Sequence, residues 1–302
     1  MSLIVTGSIG IDSVETPAAA AADVLGGSSI YFAAAASFFG KVRLVGAVGG
    51  DFPEHFLDTF RHFNIDLAGI ECRTGSKTFR WAAKYMDDMN VRQTMSVQLN
   101  VLAEPLPPVP RSYRDSRYIF LANTDPTSQL QLLDQFPNRA LAVADTMDLW
   151  IKTQRDALMV LLKRVDGLVL NDDEAQMLSK EMNLLRAAER IIAMGPKFVV
   201  VKKGEHGALI EHEGMQVMLP AYPTRDVVDP TGAGDSFAGA MMGHLAATGD
   251  VSRAGLRRAA AYGTIVASFN IEAFSLDRLR QISRADVDQR LEAYRSMLQI
   301  GG

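Results

Sequence analysis

The chain has 302 residues, of which 48% are hydrophobic and 22% are charged, and its formal net charge is −4. This composition is typical of a folded globular protein and argues against a largely disordered chain. The small acidic excess argues against a protein that coats nucleic acid or an anionic membrane, because both functions need a large basic excess. The single cysteine, Cys72, excludes an intrachain disulfide and a cluster of thiolates around zinc, and it favours a reducing, cytoplasmic location.

Short apolar runs rich in β-branched residues alternate with helical patterns along most of the chain. Each run is nearly continuous in apolar residues, as expected for parallel strands that are buried on both faces. This alternation predicts a doubly wound α/β fold. The predicted strands are residues 3–8, 42–48, 118–122, 141–145, 167–171 and 198–202.

Residues 24–40 carry no charge and are long enough to suggest a membrane span. The segment contains three glycines and three serines, and alanine dominates its apolar part. It is therefore interpreted as a tight turn followed by a buried helix over 30–39. No signal peptide is predicted at the start of the chain.

The segment 76–97 departs from the alternation of strands and helices. Apolar side chains recur at every second position from Phe79 to Tyr85, and the alternation resumes at 91–97 after a polar turn. This pattern predicts a hairpin with one apolar face, either as a separate antiparallel flap or as an edge extension of the main sheet. Helices are predicted from about Gly234 onward and over 253–269 and 286–298.

The most informative string is Asp-Pro-Thr-Gly-Ala-Gly-Asp-Ser-Phe at 229–237. Its two glycines lead into a helix, whose N-terminus and free backbone N–H groups favour an anion. Asp235 would repel a statically bound phosphate, so its position favours a base that takes a proton from an attacking hydroxyl. A dinucleotide site is disfavoured because no strand directly precedes the glycines and Phe237 replaces the third one. The remaining alternative is a capped helix N-terminus without catalytic function.

This string resembles the C-terminal signature of the ribokinase-like (PfkB) carbohydrate and nucleoside kinases. The resemblance implies a three-layer α/β/α sandwich with a small β-sheet lid, as one domain over 1–302 with lid segments at about 11–28 and 74–100. It implies transfer of phosphate from ATP to a hydroxymethyl group of a sugar or nucleoside. Asp235 would be the general base, and the N–H groups of Gly232, Ala233 and Gly234 would form the anion hole. A homodimer formed through the lid is a further expectation.

The nucleotide side of the resemblance involves two motifs and the signature loop. Asn-Asp-Asp-Glu at 171–174 reads by itself as a helix N-cap with acids in the first turn, and the resemblance gives this motif a role in organising Mg²⁺ through water. The resemblance also places a Gly-x-x-Gly turn against ATP and a monovalent cation, such as K⁺, behind the signature loop. The implied residues are Asn171, Glu174, Lys202, Gly204, Gly207 and Thr231 for ATP, Glu174 for Mg²⁺, and Asp229 and Thr231 for the monovalent cation.

The acceptor side resembles the family in part. The implied acceptor residues are Asp12, the diglycine Gly26 and Gly27, and Asp51. The chain has Gly10 where the family often has Asn, and no Asn follows the diglycine, so a contact to ribose has changed. A nucleoside, a free sugar or a sugar phosphate therefore remain alternatives, and a phosphorylated acceptor would need basic groups such as those on the lid. A silent sugar or nucleoside sensor and a dinucleotide-dependent oxidoreductase are the competing classes of function.

Overall fold

The computed structural model of the protein describes residues 2–299. The strands in this part of the chain are β1 (Leu3–Thr6), β2 (Gly10–Glu15), β3 (Ala20–Gly26), β4 (Val42–Gly49), β5 (Ile65–Arg73), β6 (Phe79–Tyr85), β7 (Arg92–Gln98), β8 (Tyr118–Leu121), β9 (Leu141–Asp145), β10 (Gly167–Asn171), β11 (Phe198–Lys202), β12 (Ala208–His212) and β13 (Met215–Leu219). The helices are α1 (Ser28–Ser37), α2 (His55–His62), α3 (Pro126–Leu133), α4 (Asp148–Thr153), α5 (Arg155–Leu162), α6 (Asp172–Ser179), α7 (Leu184–Ile192), α8 (Ala233–Thr248), α9 (Arg253–Asn270), α10 (Asp277–Arg280) and α11 (Arg284–Leu298).

The large sheet has the strand order β13-β12-β11-β10-β9-β8-β1-β4-β5. Neighbouring strands from β11 to β5 are parallel, whereas β12 runs antiparallel to both β11 and β13. All six strands predicted from the sequence lie in this sheet. The strands β5, β12 and β13 were not predicted, because polar residues interrupt β5 and the outermost strand β13 is largely exposed.

The large sheet is buried on both faces, which explains its continuous apolar strands. In β1, Val5 packs into one hydrophobic cluster with α1, α8, α9 and α11, while Ile4 packs into a second cluster with α3, α5, α6 and α7. Burying each such aliphatic side chain contributes about 1.5–3 kcal/mol to folding. The predicted three-layer α/β/α sandwich is confirmed.

The uncharged segment is a buried helix, as predicted. Helix α1 follows the diglycine, and its residues from Ser28 to Ala36 are all buried. It packs closely on α8, since a Cβ atom on Gly239 would lie 2.2 Å from the Phe32 carbonyl oxygen. Among the helices that residues 2–299 form, none has the length and apolar character needed to cross a membrane.

A second, smaller sheet forms the lid, with the strand order β3-β2-β6-β7. Strands β2 and β6 are parallel, and the other two pairs are antiparallel. The predicted hairpin is therefore a separate flap and does not extend the main sheet. Its expected apolar face is only partly covered: Ala83 and Tyr85 are buried, Trp81 is half-buried, and all of β7 is exposed.

Candidate active site

The carboxyl ends of three neighbouring parallel strands and the N-terminus of α8 meet at one edge of the large sheet. Asp145, Asn171 and Lys202 are the last residues of β9, β10 and β11. Asp235 lies in the first turn of α8. Ligands of open α/β sheets bind at this edge, so the fold brings the predicted nucleotide and catalytic residues together.

Three carboxylates influence the ammonium group of the half-buried Lys202. Burial works against the charge of Lys202, but Asp145, Glu174 and Asp235 outweigh it and hold the pKa of Lys202 above its usual range. The Lys202 Nζ atom would lie 2.8 Å from a Cβ atom on Gly234, so the ammonium lies against the start of α8. Burial, together with the charge of Asp145, raises the pKa of Asp235 to about 8. The cluster of Asp145, Glu174, Asp235 and Lys202 thus has more carboxylates than cations, in a region with little access to water.

The signature loop is held in place by buried hydrogen bonds behind it. Thr231 N–H donates to Asp229 Oδ1 at 2.8 Å, and Asn270 Nδ2 donates to the Thr231 carbonyl oxygen at 2.8 Å. Gly232 has φ 74°, and a Cβ atom there would lie 2.2 Å from the Tyr31 ring. Only glycine combines this backbone conformation with this close approach. Asp229 and Thr231 therefore support the loop through side-chain and backbone contacts.

The three backbone donors of the expected anion hole are not equivalent. Ala233 N–H donates to the Pro230 carbonyl oxygen at 3.1 Å, so it is already engaged. Within residues 2–299, the N–H groups of Gly232 and Gly234 have no hydrogen-bond partner. Of the three expected donors, these two are therefore left for an anion at the start of α8.

Asn171 and Glu174 form a capping box at the start of α6. Glu174 N–H donates to Asn171 Oδ1, and Asn171 N–H donates to Glu174 Oε2, both at 2.8 Å. The helix-cap interpretation of this motif is confirmed. Burial, with the charge of Asp145, raises the pKa of Glu174 to about 7. No group of three His, Cys, Asp or Glu side chains in the described part of the chain forms a ready-made metal site.

The acceptor side is built around a buried carboxylate on the lid strand β2. Asp12 is 3% exposed, its Oδ1 atom has no partner within residues 2–299, and burial raises its pKa to about 7. A Cβ atom on Gly26 would lie 1.9 Å from Asp12 Oδ2, so this glycine is required for the carboxylate to fit. The buried Tyr31 hydroxyl is likewise unpaired in the described residues, and the charge of Asp12 raises its pKa after the larger effect of burial.

Asp51, the fourth predicted acceptor residue, is engaged at the base of the lid. Its Oδ1 accepts from Thr78 N–H at 2.7 Å, and its Oδ2 lies 3.7 Å from the Arg80 guanidinium. The Gly-x-x-Gly turn instead points to the tip of the lid. A Cβ atom on Gly204 would lie 2.7 Å from Asn90 Oδ1. Gly204 and Gly207 both have positive φ, 52° and 83°.

The fold brings to this site three residues that were not among the predicted site residues. Asp145 ends a predicted strand at the ligand-binding edge, so its position alone was a usable signal. Tyr85 is buried against the signature loop, where its hydroxyl accepts from Thr231 Oγ1 at 3.2 Å. Tyr31 fills the place next to Gly232, and no local pattern in the sequence indicates this contact.

Comparison with known proteins agrees with this geometry. Residues 23–278 match the sequence profile of the pfkB family carbohydrate kinases. The chain is 29% identical to a cytidine kinase of Thermococcus kodakarensis over 248 residues, which cover 80% of this chain and 87% of that protein. It superimposes on a nucleoside kinase of Burkholderia thailandensis in complex with inosine, with a TM-score of 0.77, 17% identity and 97% of each chain covered. An Escherichia coli putative ribokinase II in complex with ATP and Mg²⁺ gives a TM-score of 0.79 at 17% identity, with 97% of this chain and 99% of that chain covered.

Proposed function

Because the chain belongs to the pfkB family of carbohydrate kinases, we propose that it transfers the γ-phosphoryl group of ATP to a hydroxymethyl group of a nucleoside. The observation that carries this proposal is Asp235, a carboxylate in the first turn of α8 beside two unpaired N–H groups. The match to a cytidine kinase over 80% of this chain favours a nucleoside over a free sugar. The whole chain, 1–302, would act as one kinase unit.

Asp235 would act as the general base. Its pKa, raised to about 8 mainly by burial, lies close to neutral pH, where a base can both bind and release a proton. The N–H groups of Gly232 and Gly234 would stabilise charge that develops on the moving phosphoryl group. Positioning and charge neutralisation would then supply most of the catalysis, as is general for phosphoryl transfer.

Asp145 at the end of β9 and Glu174 in the first turn of α6 fit a magnesium ion. Asp145 and Glu174 can offer oxygen ligands to a metal ion. Burial raises the pKa of both carboxyl groups, as expected where nearby positive charge does not compensate for the loss of water. Mg²⁺ keeps several waters, so Glu174 would hold it through water while its Oε2 atom caps α6. The ion would neutralise phosphate oxygens of ATP.

The nucleotide would lie beside the Gly204–Gly207 turn, with Asn171, Lys202 and Thr231 on its phosphate side. A monovalent cation such as K⁺ would lie near Asp229, whose burial raises its pKa. The Thr231 carbonyl oxygen already accepts a hydrogen bond from Asn270, so this cation has less support than Mg²⁺. Activity measured in K⁺ and in a bulky organic cation would decide whether a monovalent ion is needed.

On the acceptor side, Asp12 would bind hydroxyl groups of the sugar ring. Its free Oδ1 atom is an acceptor with no partner in the described structure, and a ligand hydroxyl would satisfy it. Gly26 and Gly27 would serve the acceptor indirectly by allowing this close packing, since Cβ atoms on them would lie 1.9 Å from Asp12 Oδ2 and 2.4 Å from the Ser8 carbonyl oxygen. Asp51 would act on the acceptor less directly, through the base of the lid.

The outer edge of the lid favours a second copy of the chain. Strand β7 is one of the two edge strands of the small sheet, and Met95 and Val97 on it are 60% and 50% exposed. An exposed edge strand offers unpaired backbone groups to another strand. A homodimer through β7 would cover them, and light scattering of the wild type against Val97→Lys would test it. The free thiol of Cys72 fits the proposed cytoplasmic location.

The experiment that tests the function is ADP release from Mg·ATP with a panel of nucleosides, pentoses, hexoses and sugar phosphates. Activity with a nucleoside that is lost in Asp235→Asn supports the proposal. ATP binding by calorimetry without turnover on any acceptor would instead indicate a sensor. Turnover on a sugar phosphate alone would contradict the nucleoside assignment and keep the kinase.

A further inference from the structure

A buried glutamine joins two strand ends at the edge of the sheet where the site is formed. Gln129 lies on α3 and is 1% exposed. Its Nε2 atom donates to the carbonyl oxygens of Leu121, Ala122 and Asp145, at 2.9, 3.1 and 3.0 Å. Carbonyl oxygens only accept hydrogen bonds, so these three contacts fix the direction in which the amide faces.

The contacts of this amide begin where backbone pairing between β8 and β9 stops. The parallel ladder of these strands ends at the pair Leu121 and Ala144, and Asp145 is the next residue of β9. Gln129 therefore continues the connection between the two strands by one residue. On the other side, Asp145 is still paired with Val169 of β10. The backbone of Asp145 is thus held from both neighbouring strands.

The Asp145 carboxylate has one oxygen atom engaged and one free. The residue is 5% exposed, and its Oδ1 atom accepts from Thr146 N–H at 2.8 Å. Within residues 2–299, its Oδ2 atom has no hydrogen-bond partner. The charge of Asp145 adds to the effect of burial in raising the pKa of Glu174 and Asp235. The carboxylate therefore acts among the phosphoryl-side groups, with Oδ2 available to a ligand.

Packing alone does not account for a glutamine at this position. Its Oε1 atom is buried and has no partner within residues 2–299. A buried amide with an unpaired oxygen lowers the stability of a fold. Helix α3 is already anchored in its hydrophobic cluster by the buried Leu132 and Leu133. The contacts of Nε2 to the ends of β8 and β9 are therefore the feature that distinguishes this side chain from an apolar one.

We propose that Gln129 is a positioning residue for phosphoryl transfer, which holds Asp145 in the orientation that binds Mg·ATP. This proposal rests on the function proposed above. Helix α3 covers the face of the large sheet opposite α8, so Gln129 acts through the end of β9 and not by contact with the nucleotide. Groups that hold a metal-binding side chain in place typically contribute about 10–100-fold to metal affinity or activity.

The first test compares Gln129→Met with a control, Leu133→Ala. Gln129→Met keeps the length of the side chain and removes its donor, whereas Leu133→Ala removes buried packing from the same helix and leaves the amide in place. We expect Gln129→Met to lower kcat about tenfold or more and to raise the half-saturating Mg²⁺ concentration by a similar factor, with the acceptor KM within about threefold of wild type. Leu133→Ala should keep all three within about twofold, at a temperature where both variants are folded by circular dichroism.

A shorter amide provides the same comparison if Gln129→Met does not fold. Gln129→Asn retains the donor on a side chain that lacks one methylene group and cannot reach all three carbonyl oxygens. We expect it to change kcat and the Mg²⁺ dependence in the same direction as Gln129→Met, by a smaller factor.

A double-mutant cycle tests whether Gln129 acts through Asp145. In the Asp145→Asn background, Gln129→Met should change kcat less than about twofold, because the carboxylate that the amide positions has already been lost. Leu133→Ala should have the same effect in both backgrounds, since its contacts are separate from Asp145.

Calorimetry supplies a readout that does not depend on turnover. Without Mg²⁺, Gln129→Met should bind ADP with the affinity of wild type. With Mg²⁺, its affinity for ADP should fall at least about tenfold below that of wild type. A general loosening of the fold would instead weaken ADP binding equally under both conditions.

The proposal is overturned if the folded Gln129→Met protein keeps the kcat and Mg²⁺ dependence of wild type, or if Leu133→Ala loses as much activity. It is also overturned if the effect of Gln129→Met is the same in the Asp145→Asn background, since the amide would then not act through this carboxylate. A wild type without turnover on any acceptor would count against the proposed function, and the ADP affinities would still decide the role of Gln129.

Discussion

The two sides of the candidate site bury carboxylates in different ways. On the phosphoryl side, the charges of Asp145, Glu174 and Asp235 raise the pKa of Lys202 against the effect of its burial. On the acceptor side, Asp12 is buried near Asp229, with burial and this second acid both raising its pKa. A cluster that already contains a cation and still has excess negative charge suits a metal-bound polyphosphate. A carboxylate without a cation suits neutral hydroxyl groups, so the comparison predicts which ligand binds on each side.

The largest expected effect is on the phosphoryl side. Asp235→Asn should lower kcat by ~10²-fold or more, because a positioned base typically contributes that much. Its melting temperature should not fall, since the substitution removes a carboxylate whose pKa is raised to about 8 by burial. Steady-state kinetics and thermal melts check both, with the exposed first-turn acid Asp156→Asn as the control. A variant with more than a tenth of wild-type kcat would remove Asp235 from the role of base.

Removing the shared cation should affect both activity and stability. Lys202→Met leaves Asp145, Glu174 and Asp235 without their ammonium, and we expect a loss of about 2 kcal/mol in the free energy of unfolding at pH 8. The loss should shrink toward pH 5, because protonation of the carboxylates removes their mutual repulsion. Urea titrations at the two pH values measure it, and the exposed Lys163→Met serves as the control. A loss that is independent of pH would show that Lys202 acts mainly through packing.

On the acceptor side, Asp12→Asn should raise stability and weaken acceptor binding, whereas Lys202→Met should lower both stability and activity. The folded pKa of Asp12, about 7, is raised above its ordinary value of 3.8, so its ionisation opposes folding at high pH. Its contribution to stability is complete below about pH 4 and is lost as the pH rises through about 7. Asp12→Asn should therefore stabilise the protein by about 2–4 kcal/mol at pH 8 and leave it unchanged near pH 4.

The same substitution should weaken acceptor binding, since the amide replaces a carboxylate that accepts from hydroxyl groups. We expect the acceptor KM to rise about tenfold or more with little change in the KM for ATP. Asp23→Asn, on the exposed hairpin next to Asp12, is the control. Equal changes in the acceptor KM and the KM for ATP would mean that Asp12 does not act specifically on acceptor binding.

The smallest effect should come from the contact between the lid and the signature loop. Tyr85→Phe removes the hydroxyl that accepts from Thr231 and should cost about 0.5–1.5 kcal/mol in the free energy of unfolding. Because this hydroxyl helps to hold the signature loop that contains Asp235, kcat should fall a few-fold. Denaturant titration and steady-state kinetics of Tyr85→Phe check this prediction. The control is Met86→Leu, a substitution at the exposed neighbouring residue. An unchanged kcat would separate the lid contact from catalysis.

Local sequence patterns were sufficient where a structure depends on neighbouring residues. Continuous apolar runs predicted six strands of the main sheet, and alternation predicted the β6–β7 hairpin. The strand β5 was missed because its side chains are only half-buried, so its pattern resembles neither a core strand nor an alternating one. The last predicted helix, 286–298, corresponds to α11, in which Val287, Leu291 and Tyr294 are buried and the terminal Leu298 is 37% exposed.

The sequence by itself determined the fold class, the signature loop with Asp235, and the motifs at Asn171 and Lys202. These features depend on residues adjacent in the chain, whose spacing decides backbone conformation and helix starts. Only the tertiary structure decided that the charges of Asp145, Glu174 and Asp235 act on Lys202, and that Tyr31 packs against Gly232. Such contacts join residues far apart in the chain, and burial then changes their pKa values, which no local pattern records.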